Sequence, residues 1–293
     1  MAVTLIRNAD VVLAWDEAAK THAYLTGGDV AFEGGALRFV GRGYDGPAEE
    51  VIDGAGLMVM PGLVNIHTHP SSEPMNKGLL DEIGSPGLYN SSLYEFMPIF
   101  RAGEDAVPDC ARVALSELLL SGVTTVADLS VPYDGWLDLL AESGLRAVVA
   151  PMFRSARWYT KNGHVVEYEW DEAGGEKAMA EALRLVDRAA QHECGRLSGM
   201  VIPAQIDTVS PGLMRESQQE AKARGAMIVA VATEGDEDIR AHADHVVYIP
   251  KVRDAFSAVT ASVPLQLFAR AIAVERGCDV DQPRNLAKSV TVE

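Results

Sequence analysis

Two histidines separated by one residue are the part of the sequence best suited to chemistry. His67 and His69 follow the apolar run at 63–66, whose β-branched residues predict a buried strand. Because side chains alternate across a strand, both imidazoles should point to the same side. Two imidazoles at that spacing, at the end of a strand, can hold one zinc-sized ion. The pattern predicts a metal site and leaves open the alternative of two strand-end histidines without tightly bound metal.

The residues leading into this pair resemble a known family. An Asp-Gly-Ala-Gly run at 53–56 and the run Leu-Met-Val-Met-Pro-Gly at 57–62 precede the histidines, as in the metal-dependent amidohydrolase superfamily, in its cytosine-deaminase and chlorohydrolase-like branch. The resemblance covers residues 1–225. It implies a small β-sandwich interrupted by a (β/α)₈ barrel, and hydrolysis of a C–N or C–Cl bond in a heterocycle. It also implies that His67 and His69 bind zinc or another divalent transition metal.

The end of the chain resembles a different family. Residues 279–293, DVDQPRNLAKSVTVE, resemble the C-terminal tail of glutamine–fructose-6-phosphate aminotransferase, the glucosamine-6-phosphate synthase. The runs at 232–236 and 263–267 resemble the final sugar-isomerase (SIS) domain of the same enzyme, so this resemblance covers residues 226–293. It implies that Lys288 forms an imine with a ring-opened ketose and that Ala287 makes backbone contacts to the sugar. A lysine does this only when burial or a neighbouring cation lowers its pKa, so a solvent-exposed tail lysine is the alternative.

Composition limits the classes of partner. A formal charge of −17 over 293 residues argues against nucleic acid or an anionic membrane, both of which require basic patches. Three widely spaced cysteines form neither a metal-knuckle spacing nor a disulfide framework, which favours a reducing compartment. The N-terminus lacks the basic start and long apolar core of a signal peptide. We expect a cytoplasmic protein that acts on a small molecule, without nucleic acid or membrane as a partner.

Hydrophobic periodicity and the two resemblances together divide the chain into three parts. Residues 1–60 alternate short β-rich runs with turns, including a hairpin turn at Gly34-Gly35, and predict part of a small β-sandwich. Residues 61–225 alternate strands and helices at the pace of βα units, and residues 226–293 continue that alternation. The predicted strands are 5–6, 11–13, 29–32, 37–40, 50–52, 63–66, 123–128, 145–151, 200–206, 227–232 and 245–249. The predicted helices are 105–121, 134–143, 176–192, 211–224, 237–243 and 257–276.

Counting strands predicts the architecture. Four barrel-type strands precede residue 226 and two follow it, whereas a closed barrel requires eight. The predicted fold class is α/β: a small N-terminal β-sandwich, then an incomplete (β/α) TIM-type barrel that a βαβα SIS-like segment completes or extends. An unpaired sheet edge is expected, and with it a possible homo-oligomer.

The resemblance also shows which catalytic residues are missing from the sequence pattern. The branch needs further histidines at the ends of the fifth and sixth strands, a glutamate and a final aspartate. The strand predicted at 227–232 contains no histidine, and His245 lies at the entry of the next strand. Glu234 and Asp236 could donate oxygens to a metal or form a solvated turn and helix cap. We expect a hybrid or truncated hydrolase with impaired or no activity. The alternatives are an aminotransferase or sugar-phosphate isomerase fragment and a non-catalytic chimera.

Overall fold

The computed structural model describes residues 2–19, 21–77, 103–161 and 165–275. The chain divides into two compact units. One is formed by Met1–Pro61 together with Ile228–Glu293, and the other by Gly62–Met227.

The N-terminal residues form one five-stranded sheet. The longest pairing is antiparallel, between the first two strands, and the fourth and fifth strands run parallel to the first. The strand order is β3-β2-β1-β4, with β5 also on β1. The Gly34-Gly35 turn joins β2 to β3, as predicted from the sequence. The strands are β1 Val3–Asp16, β2 Thr21–Glu33, β3 Ala36–Gly41, β4 Glu50–Asp53 and β5 Met58–Val59.

The two strands predicted at 5–6 and 11–13 are one strand with a bulge. The register of β1 against β2 shifts between Ile6 and Ala9, and Asn8 has a φ of 55°. Asp29 stabilises this bulge, because its carboxylate accepts hydrogen bonds from the backbone N–H of Asn8 at 2.7 Å and of Tyr44 at 2.9 Å. Burial acts to raise the pKa of Asp29, but the backbone N–H donors outweigh it and the pKa lies below its usual value.

Residues 62–227 form a parallel sheet covered by helices. The sheet has the order β12-β8-β7-β6; β9 and β13 form a short parallel pair, and β10 and β11 an antiparallel hairpin. The strands are β6 Leu63–Thr68, β7 Val123–Asp128, β8 Arg146–Val149, β9 Met152–Phe153, β10 Ala156–Tyr159, β11 Glu167–Trp170, β12 Leu197–Gly199 and β13 Ile202–Pro203. The helices are α1 Glu73–Asn76, α2 Val107–Leu120 (after a 3₁₀ turn at Glu104–Ala106), α3 Trp136–Ser143, α4 Glu172–Ala190 and α5 Pro211–Ala223.

The core of this unit lies between the parallel sheet and α2, α3 and α4. Its largest cluster of apolar side chains includes Leu115, Trp136 and Leu140, which are each at most 1% exposed. Of the strand predicted at 200–206, only β13 (Ile202–Pro203) forms, and β12 (Leu197–Gly199) precedes the predicted range. Leu197 is buried in the core cluster directly after the turn at Gly195, so packing starts the strand earlier than the apolar pattern indicated.

The prediction that the strand before the histidines is buried is wrong. β6 is the edge strand of the four-stranded sheet. Leu63, Val64 and Ile66 expose 48%, 63% and 79% of their surfaces, whereas Val126 on the neighbouring β7 is fully buried. A parallel strand is buried on both faces only when other layers cover it, and its apolar composition does not guarantee that cover.

Residues 228–275 contain a parallel strand pair and one long helix. The elements are β14 Val229–Thr233, a 3₁₀ helix Asp238–Ala241, β15 His245–Ile249 and α6 Asp254–Glu275. β14 and β15 form their own two-stranded sheet, so these strands do not extend the four-stranded parallel sheet as predicted. The alternation of strands and helices is a local property, whereas strand pairing depends on complementary packing surfaces elsewhere in the chain.

Helix α6 differs from the other long helices in its exposure. None of its residues is buried, and Phe268 is 54% exposed. By length and composition it is also the one helix in the described ranges that is long and apolar enough to cross a membrane. The core helices of soluble proteins meet the same two criteria, so the helix by itself assigns no location.

Candidate metal centre

The two predicted histidines converge at the C-terminal end of β6. Their Nε2 atoms are 3.1 Å apart, and the ring planes meet edge to face with centroids 5.0 Å apart. Two nitrogens that each bind one zinc at tetrahedral angles are about 3.3 Å apart. The separation therefore suits two ligands of a single ion, and the expectation that alternation places both rings on one side is confirmed.

The orientation of the His69 ring is set by a backbone carbonyl. Its Nδ1 lies 2.6 Å from the Leu129 oxygen, and a carbonyl can only accept, so Nδ1 carries the proton. The Nε2 lone pair then points to His67. Metal-binding histidines typically donate their second ring N–H to a carbonyl or carboxylate, and this contact selects the ligand tautomer.

The residues around the pair hold β6 against β7. The Thr68 side chain lies opposite the imidazoles, is 9% exposed, and donates a hydrogen bond of 2.8 Å to the Ala127 carbonyl. Gly62 directly precedes the strand, at a position where a Cβ atom would collide with the Thr124 side chain. A glycine before the strand therefore allows the two backbones to approach closely.

An acidic residue that the sequence interpretation did not select lies next to this site. Asp128 is the last residue of β7, so it lies at the same C-terminal end of the parallel strands as the histidines. It is opposite Thr68 in the strand register and is fully buried. Its carboxylate accepts hydrogen bonds from Ser130 Oγ at 2.5 Å and Trp136 Nε1 at 2.8 Å. Burial raises its pKa to about 6, although both donors act to lower it. A polar residue at the C-terminal end of a predicted barrel strand is the signal that would have found it.

Of the five remaining predicted site residues, three lie in residues 228–275 and two lie outside the described residues. Lys288 and Ala287 lie outside the described residues. Glu234 and Asp236 are exposed in the turn after β14, and Asp236 Oδ1 accepts a hydrogen bond from the Ile239 N–H at 3.2 Å, as a helix cap does. His245 is the first residue of β15, at its entry as predicted.

The ligand set is incomplete where the chain is described. Over residues 2–19, 21–77, 103–161 and 165–275, no three His, Cys, Asp or Glu side chains are grouped so that they could hold a metal. His67 and His69 fit two positions of a metal site, and a third protein ligand is not among these residues.

Comparison with known proteins supports the first resemblance. Residues 58–259 match the model of the Amidohydrolase family. A triazine hydrolase from Arthobacter aurescens has a similar fold, with a TM-score of 0.60 and 21% identity over 85% of this chain and 60% of that one. The zinc complex of an atrazine chlorohydrolase from Arthrobacter aurescens TC1 has a TM-score of 0.58 and 22% identity, covering 79% and 53%. A guanine deaminase from C. acetobutylicum has a TM-score of 0.58 and 12% identity, covering 82% and 55%.

The curated relatives support the second resemblance. A glutamine–fructose-6-phosphate aminotransferase from Thermus thermophilus is 57% identical over 75 residues, or 26% of this chain and 12% of that protein. Its counterpart from Tropheryma whipplei is 39% identical over 139 residues, or 41% of this chain and 23% of that protein. The chain therefore spans less than a quarter of the length of these relatives. Both resemblances found in the sequence are confirmed.

Proposed function

The chain belongs to the amidohydrolase family, and from that premise we propose that it is a hydrolase of C–N or C–Cl bonds in aminated or halogenated heterocycles with an impaired metal centre. The observation that supports this most directly is the His67–His69 pair, whose Nε2 atoms are 3.1 Å apart. The names of the similar structures, triazine hydrolase, atrazine chlorohydrolase and guanine deaminase, support the class of substrate.

His67 and His69 would hold the metal through their Nε2 atoms. Zinc or another divalent transition metal would supply Lewis-acid chemistry, polarising the bond to be cleaved or a water molecule. The chain contributes the orientation of the ligands: the Leu129 carbonyl holds Nδ1 of His69, and Asn65 Oδ1 accepts the His67 backbone N–H at 3.1 Å. His67 is exposed and His69 partly buried, so a small molecule has access to the pair.

The test is zinc stoichiometry and affinity of the purified chain, with and without His67→Ala. We expect wild type to bind about one zinc weakly and His67→Ala to lose that zinc, because one imidazole alone is a poor site. His245→Ala is the matched control, since His245 is also exposed and begins a strand. Zinc binding that His67→Ala leaves unchanged would contradict the assignment of the ligands.

Hydrolytic activity tests the second part of the proposal. With zinc present, we expect release of chloride or ammonia from chlorinated and aminated triazines to be slow and to disappear in His67→Ala. Turnover at rates usual for enzymes, about 1–10³ per second, would show that the centre is complete.

A second candidate function follows from the curated relatives. The identity to glutamine–fructose-6-phosphate aminotransferases favours a sugar-phosphate site, in which Lys288 would form the imine and Ala287 contact the sugar. A ligand that binds only the folded chain must raise its melting temperature. Stabilisation by fructose 6-phosphate, absent with fructose and lost in Lys288→Ala, would support this candidate. Failure of both the zinc and the sugar-phosphate tests would favour a non-catalytic chimera.

Localisation and partners remain predictions from composition. The cytoplasm is the proposed compartment and a small molecule the proposed partner, with neither nucleic acid nor membrane. A homo-oligomer is proposed through an unpaired sheet edge, for which the edge position of β6 is the supporting observation.

A further inference from the structure

Leu129, the residue directly after β7, forms hydrogen bonds with both Thr68 and His69. Its N–H donates to the Thr68 carbonyl at 2.9 Å, and its own carbonyl accepts from His69 Nδ1 at 2.6 Å. The two groups of one residue thus hold the backbone before His69 and the ring of His69. A rotation of the Leu129 carbonyl would break its hydrogen bond with the His69 ring. The hydrogen bond from the Leu129 N–H to the Thr68 carbonyl would remain.

Asp128 and Ser130 bracket that residue. The hydrogen bond from Ser130 Oγ to Asp128 Oδ1 spans Leu129, and the bond from Trp136 Nε1 to Oδ2 ties the same carboxylate to α3. Asp128, Ser130 and Trp136 are each at most 1% exposed, so water does not compete for these bonds. The Asp128 and Ser130 carbonyls accept from the N–H groups of Ala150 and Met152 at 2.9 and 3.0 Å. Both residues that flank Leu129 in the chain are therefore held by hydrogen bonds.

Asp128, Ser130 and Trp136 and the two hydrogen bonds between them form a network that we call the clamp. Placing a carboxylate at its centre costs folding free energy. Neither of its two hydrogen-bond donors is charged, and burial of an acid without a cation costs folding free energy. Tyr133 stacks on the Trp136 indole at 5.6 Å between ring centroids and helps to hold that donor in place. Buried acids with perturbed pKa values are concentrated at functional sites.

We propose that Asp128 is a positioning residue for the metal centre: by clamping Ser130 and Trp136 it fixes the Leu129 carbonyl, which holds His69 with its proton on Nδ1 and its Nε2 free to bind metal. This inference rests on the proposed function only in the last step, the use of Nε2 as a ligand. Orientation of the ring and its tautomer are properties of the metal-free chain.

Three variants test the two hydrogen bonds of the clamp separately. Asp128→Ala removes both bonds, and Ser130→Ala removes only the bond that spans Leu129, so it remains informative where Asp128→Ala does not fold. Asp128→Asn restores both contacts, because its amide can donate to Ser130 Oγ while its oxygen accepts from Trp136. Ser217→Ala is the matched control: Ser217 is 4% exposed and its Oγ donates to a backbone carbonyl in α5, at 2.8 Å from the Met214 oxygen.

The readouts are the imidazole ¹⁵N spectrum of the metal-free full chain and its zinc affinity. We expect wild type, Asp128→Asn and Ser217→Ala to show His69 protonated on Nδ1. We expect Ser130→Ala to show a mixture of tautomers and a roughly tenfold loss of zinc affinity, the usual scale for a residue that supports a ligand.

Two results would separate failure of this inference from failure of the proposed function. An unchanged His69 tautomer and zinc affinity in Ser130→Ala would overturn the positioning role while the metal site stood. A wild-type chain without measurable zinc binding, in which Ser130→Ala still mixes the tautomers, would reject the metal site and support the clamp.

Discussion

Residues 62–227 and residues 228–275 both alternate strands and helices, yet they bury their apolar side chains to very different extents. In the first region Leu140 and Val126 are fully buried in the same core cluster. In the second, α6 buries none of its residues, and within residues 228–275 the strands form a single pair, β14 with β15. A βα pattern is thus sufficient to form the elements, whereas burial requires a partner layer with a matching apolar face.

The largest effect expected from this difference is on core leucines. Leu140→Ala should lower the free energy of unfolding by about 2–5 kcal/mol, because the residue is fully buried and its loss leaves a cavity. Leu267→Ala in α6 should change it by less than about 0.5 kcal/mol, since Leu267 is 59% exposed. Denaturant unfolding followed by circular dichroism compares the two. Equal losses would show that α6 is packed in solution.

A second contrast concerns the two buried aspartates, Asp128 in the parallel sheet and Asp29 in the N-terminal sheet. The pKa of Asp128 is about 6 in the folded chain against a usual 3.8, so the folded state holds the proton more tightly. Its contribution to stability is therefore present below pH 4 and lost as the pH rises to 6. At ~1.4 kcal/mol per pH unit the loss is about 3 kcal/mol. Asp128→Asn should remove this pH dependence.

Asp29 should act with the opposite sign. Its pKa is lowered in the folded chain, so its contribution is present above the usual value of 3.8 and is lost as the pH falls through the folded value. Unfolding free energies measured from pH 3 to pH 8 for wild type, Asp128→Asn and Asp29→Asn test both signs. A wild-type curve that rises from pH 4 to pH 6 and is unchanged by Asp128→Asn would show that Asp128 ionises normally.

The third contrast is between neighbouring strands of one sheet. Val126→Thr on β7 places a hydroxyl at a fully buried position and should cost about 1–3 kcal/mol. Val64→Thr on β6 is the same change at a position that is 63% exposed, and its effect should be close to zero. The melting temperatures of the two variants test this difference. An equal decrease in melting temperature for Val64→Thr would indicate that other residues cover β6.

The smallest expected effect is on self-association. β6 is a sheet edge with exposed apolar residues, and charged residues on edge strands oppose pairing between chains. Ile66→Lys should therefore lower the average mass measured by sedimentation at high protein concentration, without changing the circular dichroism spectrum. An unchanged mass would exclude this strand as the contact.

Local sequence was sufficient for several features. The placement of His67 and His69 on one side follows from the alternation of side chains, which is a property of any extended backbone. The bounds of β15 and the turn at Gly34-Gly35 also follow from short-range patterns, β-branched residues in one case and two glycines in the other. These features depend on neighbours within a few residues.

The tertiary structure alone decided how the histidines are held. His69 meets the Leu129 carbonyl 60 residues away, and that carbonyl is positioned by Asp128, Ser130 and Trp136. The pairing register of β6 with β7 brings these groups together, and register depends on packing between distant segments rather than on the composition of either strand. The exposure of Val64 has the same origin, because an apolar strand is buried only where another layer of the fold covers it.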